Sequence, residues 1–359
     1  DANVAFSGFG EINGGTGVDN FSISAAYVGT INGGDGVDTF NISSTLPATV
    51  NGGNGNDIFN ISTGATITGS LNGEAGDDTF NISANVTAPG ALNGGDGNDT
   101  FNADVAGLSI STLSGGNGSD TFNINATGVT IASLAGGADA GTDTLRGPDA
   151  DSTWTVSGPG SGSVSVSGNI AFSEMETLTG GVGTGVDTFN IAAPASIASI
   201  NGGGGDDIIN VAGRVTGTVN GGAGSNRLIG SDNGVAWTID GLNGGAVGAS
   251  GTDGYVNRFA SIQNLTGGAG DDNFNFTTAS SAISGTIDGG AGVGVNTISL
   301  LDRNGANTFA ITGTGGDIRT TGSGSGTANI VGGFSNIQNL TGGTGIDTFD
   351  ISGVVAGVL

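Results

Sequence analysis

The sequence predicts an all-β chain folded as a parallel β-solenoid of the β-helix or β-roll kind. Three observations point there. A Gly-Gly turn followed by Asp-x-Phe-x-Ile recurs along the chain at a step near 20 residues, and a period of that size marks a solenoid. After each turn apolar residues alternate with polar ones, the period of a strand with one face inward. No segment shows helical periodicity with caps.

Taken in order, each unit opens on its turn. The residue before the first Gly of each turn is Asn13, Asn32, Asn51, Asn72, Asn93, Ser114, Ala135, Thr179, Asn201, Asn220, Thr266, Asp288 and Thr341. Most neighbours are 19–22 residues apart, and three gaps of 44, 46 and 53 span about two coils each. In Asn51 to Leu71, Phe59 and Ile61 follow the turn on alternate positions, a short bend comes next, and Ile67 leads to Leu71 and the following turn. Each coil therefore has two principal strands and two tight bends. Stacking at about 4.8 Å per step puts equivalent residues above one another. Phe21, Phe40, Phe59, Phe80, Phe101 and Phe122 then form one inner ladder, continued by Leu145, Phe189, Ile209, Leu228, Phe274, Ile298 and Phe349. The expectation is a single continuous solenoid over 1–359, of about 16 coils of 19–22 residues with one Gly-rich turn edge. Double-length units fall at about 144–178, 228–265 and 298–340. They share FSEMETLTGG from Phe172, FASIQNLTGG from Phe259 and FSNIQNLTGG from Phe334, with Trp154, Trp237 and Phe309 upstream as inward residues.

Composition excludes several functions. Among 359 residues there are no Cys and no His, so thiolate chemistry, disulfides and the usual zinc, haem and iron–sulfur sites are out. Six dispersed Arg against 32 acids, at net charge −26, cannot form a phosphate-binding stripe, so no nucleic-acid partner is expected. No apolar run approaches the ~18 residues of a membrane span. Lyases and epimerases on β-helices need a basic group beside carboxylates in a cleft; with no Lys and scattered Arg, the chain is expected not to be an enzyme.

The turn carries the chemistry. GGTGVDNFS from Gly14, GGDGVDTFN from Gly33, GGNGNDIFN from Gly52, GGDGNDTFN from Gly94 and GGNGSDTFN from Gly115 resemble the calcium-binding nonapeptide of repeats-in-toxin proteins. That resemblance implies Ca2+ held by converging backbone carbonyls and a carboxylate, toward the six to eight oxygens calcium takes. The ligands it implies are Asp19, Asp38, Asp57, Asp78, Asp99, Asp120, Asp143, Asp187, Asp207, Asp272 and Asp347. Asn226 and Asn296 replace Asp in two turns and Glu74 replaces a Gly in another. The family runs such turns twice per coil, whereas here each coil has one. Plain β-arc turns are the alternative, since Gly, Asn and Asp favour turns anyway. Against that, carboxylates stacked at about 4.8 Å repel unless cations lie between them.

The double-unit pattern resembles the β-strand-repeat regions of very large bacterial surface and secreted proteins, often adhesins. It implies an extracellular, cell-surface or biofilm-matrix element whose work is mechanical. Outward Thr-x-Asn pairs such as Thr39/Asn41 and Thr79/Asn81 form a flat polar face, a solvated surface or, in a ligand-binding adhesin module, a site for glycan or ice. Calcium-dependent ice adhesins keep a constant Thr in the turn, where this chain has Thr16, Asp35, Asn54, Ala75 and Asp96. Sequons such as Asn41-Ile-Ser recur and would accept glycan. Both ends fall between coils without a capping element, which predicts either head-to-tail stacking of copies or continuation into a longer repeat chain.

Overall fold

The computed structural model describes residues 8–352 apart from 84, 104, 166–167, 250, 304, 313–314 and 321–328. The terminal stretches 1–7 and 353–359, on which the expectation of uncapped ends rests, lie outside the described residues. Among the described residues there is no helix, and strands from successive repeats pair in parallel, as fits a β-solenoid. The chain falls into two compact units, Asp1–Ser152 with Ser161–Thr179, and Thr153–Gly160 with Gly180–Leu359.

In the first unit two parallel ladders advance together. Strands leading into the Gly-rich turns stack in order, Thr30–Asp35 on Glu11–Gly15, then Thr49–Asn54, Leu71–Ala75, Thr87–Asp96, Ser109–Asn117 and Thr130–Ala135. Strands leaving the turns do the same from Asn20–Ile23 through Thr39–Ile42, Ile58–Ile61 and Thr79–Ile82 to Thr144–Arg146. Like faces like: Phe40 lies opposite Phe59 and Asn41 opposite Asn60. A slip of one residue would turn every Phe outward, so burial pins the register. The rings from Phe21 to Phe122 stack nearly parallel, with centroids 4.9, 4.8, 4.5, 4.6 and 5.1 Å apart. Outside, asparagines bond edge to edge. Each amide Nδ2 donates to the Oδ1 one coil earlier, as in Asn51 to Asn32 and Asn60 to Asn41.

The second unit departs from a simple repeat. Phe189, Ile209 and Leu228 stack on strands that leave Gly-rich turns. The next strand on Leu228 is Asn264–Thr266, with Leu265 opposite, and this one leads into a turn, as does the Ile283–Asp288 strand stacked on it. In the other sheet, Val219 and Phe259 precede turns, whereas Phe274, which follows one, lies opposite Trp237. The two sheets have exchanged places in the repeat. The same exchange recurs further on, with Leu340 opposite Ile298 and Phe349 opposite Phe309.

Antiparallel meanders absorb the extra residues. Ala236–Gly241, Gly244–Val247 and Tyr255–Ala260 form one, and Asn307–Thr312, Gly315–Thr320 and Asn329–Ser335 another. In the first unit, Ser161–Ser165 runs antiparallel to Asn169–Ser173, Phe172 stacks on Leu134, and Leu178 lies opposite Leu145. The double-length units are thus not two plain coils.

Two expectations are corrected. The inner ladder does not run from Phe21 to Phe349, because Leu145, Leu228 and Ile298 are followed in their columns by Leu178, Leu265 and Leu340. Nor is there one Gly-rich turn edge. The strands of a sheet that enter turns run parallel, so a turn leaving one sheet and a turn leaving the other lie at opposite ends of the coil, and the second unit has both. Trp154 and Trp237 are fully buried as expected, and each begins a new column, Trp154 at 5.4 Å from Phe189 and Trp237 at 5.2 Å from Phe274.

Phe59 touches a ring on either side and has no exposed surface. Phe59→Ala is expected to cost about 3–5 kcal/mol. Hydrogen exchange should place the loss in the coils between Phe40 and Phe80, and an unchanged protection pattern there would contradict the stacked core.

Candidate metal centre

Each Gly-rich turn folds its aspartate back beneath the first glycine. At Gly52, an added Cβ would collide with Asp57 Oδ2 and lie 2.6 Å from the Gly73 carbonyl oxygen of the next coil. Gly53 and Gly55 adopt φ of 116° and 134°, where an L side chain is strained. In this turn glycine serves close approach at one position and backbone conformation at two others, the first of which Glu74 takes at φ 77° in the next coil. As a result, Asp38, Asp57, Asp78, Asp99, Asp120 and Asp143 are at most 1 % exposed.

One carboxylate oxygen is committed. The backbone N–H of Asp19 donates to Asp38 Oδ1 at 2.8 Å, Asp38 N–H to Asp57 Oδ1 at 2.7 Å, and the chain of bonds continues through Asp78, Asp99 and Asp120 to Asp143. In the second unit the same bond joins Asp187 to Asp207 and Asp207 to Asn226, then Asp272 to Asn296. The other oxygen is orphaned: Oδ2 of Asp38, Asp57, Asp78, Asp99, Asp120, Asp143 and Asp207 is buried with no hydrogen-bond partner. It faces a second acceptor across the space a Cβ would fill: a glycine carbonyl of the following coil in six of the seven, and the Glu174 carbonyl for Asp143.

The electrostatics follow. Burial, with the neighbouring carboxylates adding to it, pushes Asp57, Asp99, Asp120, Asp143 and Asp207 up to about 6 and Asp78 up to about 8; the backbone N–H each accepts works the other way. Burial also raises Asp272. The four ion pairs among the described residues use Asp149, Asp253, Asp240 and Asp317, none of them in the row.

The chemistry of this donor set fits a hard divalent cation such as calcium: an orphaned anionic oxygen opposite a carbonyl oxygen, in a cradle only glycine permits. Among the described residues no three acidic side chains converge, so the remaining ligands would be backbone carbonyls. Seven of the eleven expected aspartates have this arrangement. Asp187 and Asp272 differ, because their Oδ2 accepts the N–H of Gly181 and Gly268 within the same turn. Asp19 and Asp347 are only half-buried, and Asp347 Oδ1 accepts from Asn307.

Three residues of the row were not anticipated. Where a double-length unit interrupts the turns, Glu176, Gln263 and Gln338 supply the missing acceptor. Asp143 N–H donates to Glu176 Oε2 at 2.9 Å, Asn226 N–H to Gln263 Oε1 at 2.7 Å, and Asn296 N–H to Gln338 Oε1 at 2.7 Å. The shared Glu or Gln two residues before Leu-Thr-Gly-Gly was the available signal. Compared with known proteins, the chain matches no protein-family model and none of the curated proteins.

Raised carboxyl values give a definite sign. The folded pKa exceeds the unfolded one, so this stability is fully present below about pH 4 and lost as pH rises through about 6 to 8. In chelator, melting temperature should therefore fall as pH is raised across that window, and Asp78→Asn should flatten the fall; an unchanged slope in the variant would contradict it. Gly73→Ala, whose Cβ would strike Asp78 Oδ2 and the Gly94 carbonyl, should cost more than about 1 kcal/mol, while Gly10→Ala, with open space around it, should be near neutral in urea unfolding.

Proposed function

We propose that this chain is a structural, non-enzymatic element of an extracellular bacterial filament or giant surface protein. It is a β-solenoid of about 16 coils, extended end to end by further copies or by further repeats of a longer chain. The observation that carries this reading is the row of buried, partnerless Oδ2 atoms stacked in register. Such a row has no use for a substrate, but it ties each coil to the next once a cation is held.

Calcium, when bound, supplies positive charge and accepts several oxygen ligands at once. Asp38, Asp57, Asp78, Asp99, Asp120, Asp143 and Asp207 would hold it, together with the backbone carbonyls they face, a glycine's in six cases and Glu174's for Asp143. The chain's own groups do the rest: the Asp N–H to Oδ1 bonds orient each carboxylate, the glycines admit it, and the stacked phenylalanines exclude water behind it. Seven filled sites would offset about 14 of the 26 net negative charges, which lessens repulsion along the stack and between copies.

Because folded turns bind the ion and unfolded ones do not, calcium should raise the melting temperature, with about 2.7 kcal/mol per independent site at a hundredfold excess over Kd. Scanning calorimetry in calcium and in chelator checks this. Identical curves, with no calcium retained on dialysis, would overturn it.

A further inference from the structure

We infer that Asn226 and Asn296 are cation-free positions in the row, where the asparagine amide occupies the place a cation takes in the aspartate turns. This rests on the calcium reading above and goes beyond it, since it assigns which turns bind and which do not.

The two turns reproduce the aspartate geometry with one atom changed. An added Cβ on Gly221 would collide with Ser261 O and lie 2.6 Å from Asn226 Nδ2; on Gly289 it would collide with Asn336 O and Asn296 Nδ2. Here the facing atoms are donor and acceptor. Asn226 Nδ2 donates to Ser261 O at 3.2 Å and Asn296 Nδ2 to Asn336 O at 3.1 Å. The orientation is forced, because Oδ1 of each amide already accepts the N–H of Asp207 or Asp272. In the aspartate turns the equivalent atoms are both acceptors, which leaves a deficit that a cation fills when the carboxyl is ionised.

Placement gives the reason. Asn226 and Asn296 are the last members of their rows. The next layer is not a Gly-rich turn but a short one, held by Ser261 and Asn336 at φ of 55° and 54° and closed by Gln263 and Gln338. A cation between two stacked turns draws carbonyls from both. At these two layers the carbonyl presented is that of Ser261 or Asn336, and a neutral amide satisfies it. Both asparagines are almost wholly buried, so ordinary turn preference at the surface does not account for them. The first unit ends differently. Asp143 keeps its orphaned Oδ2 below the Glu174 carbonyl, and Glu176 adds a second carboxylate, so this row ends on a position that still wants a cation.

The test counts ions. Equilibrium dialysis against calcium chloride on the full chain should show one more ion for Asn226→Asp and for Asn296→Asp, and one fewer for Asp99→Asn. Melting gives an independent readout. In chelator Asp99→Asn should melt above the parent chain and Asn296→Asp below it; in saturating calcium both orders should reverse. Circular dichroism checks folding, and the near-isosteric Asp99→Asn serves if either of the other variants fails to fold. A parent chain that binds calcium and loses one ion in Asp99→Asn, with none gained in folded Asn226→Asp and Asn296→Asp, overturns the inference and leaves the calcium reading standing. A parent chain that binds none overturns both.

Discussion

The hydrogen bond from each turn aspartate's N–H to the carboxylate of the next coil constrains everything else in the row. To accept it, the carboxylate must lie inside the turn, which excludes a Cβ at the first glycine and removes the second oxygen from water. The bond spans one coil step and agrees with the register that burial of the Phe and Ile columns imposes behind it. Repetition makes the constraint cooperative in geometry, since each aspartate is acceptor to the coil before and donor to the coil after.

The contrast with the outer asparagine ladders shows why the inner row is unusual. An amide carries both donor and acceptor, so a stack of them satisfies itself and can be extended without limit. A carboxylate carries acceptors only. A stack of them, away from solvent, accumulates unmet acceptors; burial raises Asp57, Asp78 and Asp99 above the ordinary carboxylate range, and nearby carboxylates, those of the row and of the turn surface, add to it. The Arg side chains do not relieve it: Arg303, the one buried guanidinium among the described residues, is spent on the Thr278 and Ser281 carbonyls.

Much of this was legible in the sequence. Strand alternation and the fixed step gave the Phe21–Phe122 stack, the turn glycines gave the aspartate row, and the two tryptophans were placed in the core. The exchange of sheets was not legible. Leu178, Leu265 and Leu340 sit before a Gly-Gly turn exactly as Ile31 and Val50 do, and nothing in the residues says which sheet will receive them. That choice depends on long-range pairing of the meanders, where antiparallel hydrogen bonding replaces parallel stacking. The capping Glu176, Gln263 and Gln338 were hidden for a related reason. Their function becomes visible only when the short turn is seen lying on the row it closes.

The exchange of sheets limits what the outside of the molecule can template. A partner with its own regular spacing, such as a crystal lattice or a polymer, needs the same groups repeated at a constant interval along one side. From Asp19 to Asp143 the first unit offers such an interval over seven turns, about 30 Å at the inter-strand spacing. In the second unit each sheet keeps one place in the repeat for only a few strands before surrendering it to the other. Constant spacing over many coils is therefore a property of the first unit, and the second presents short, alternating tracts.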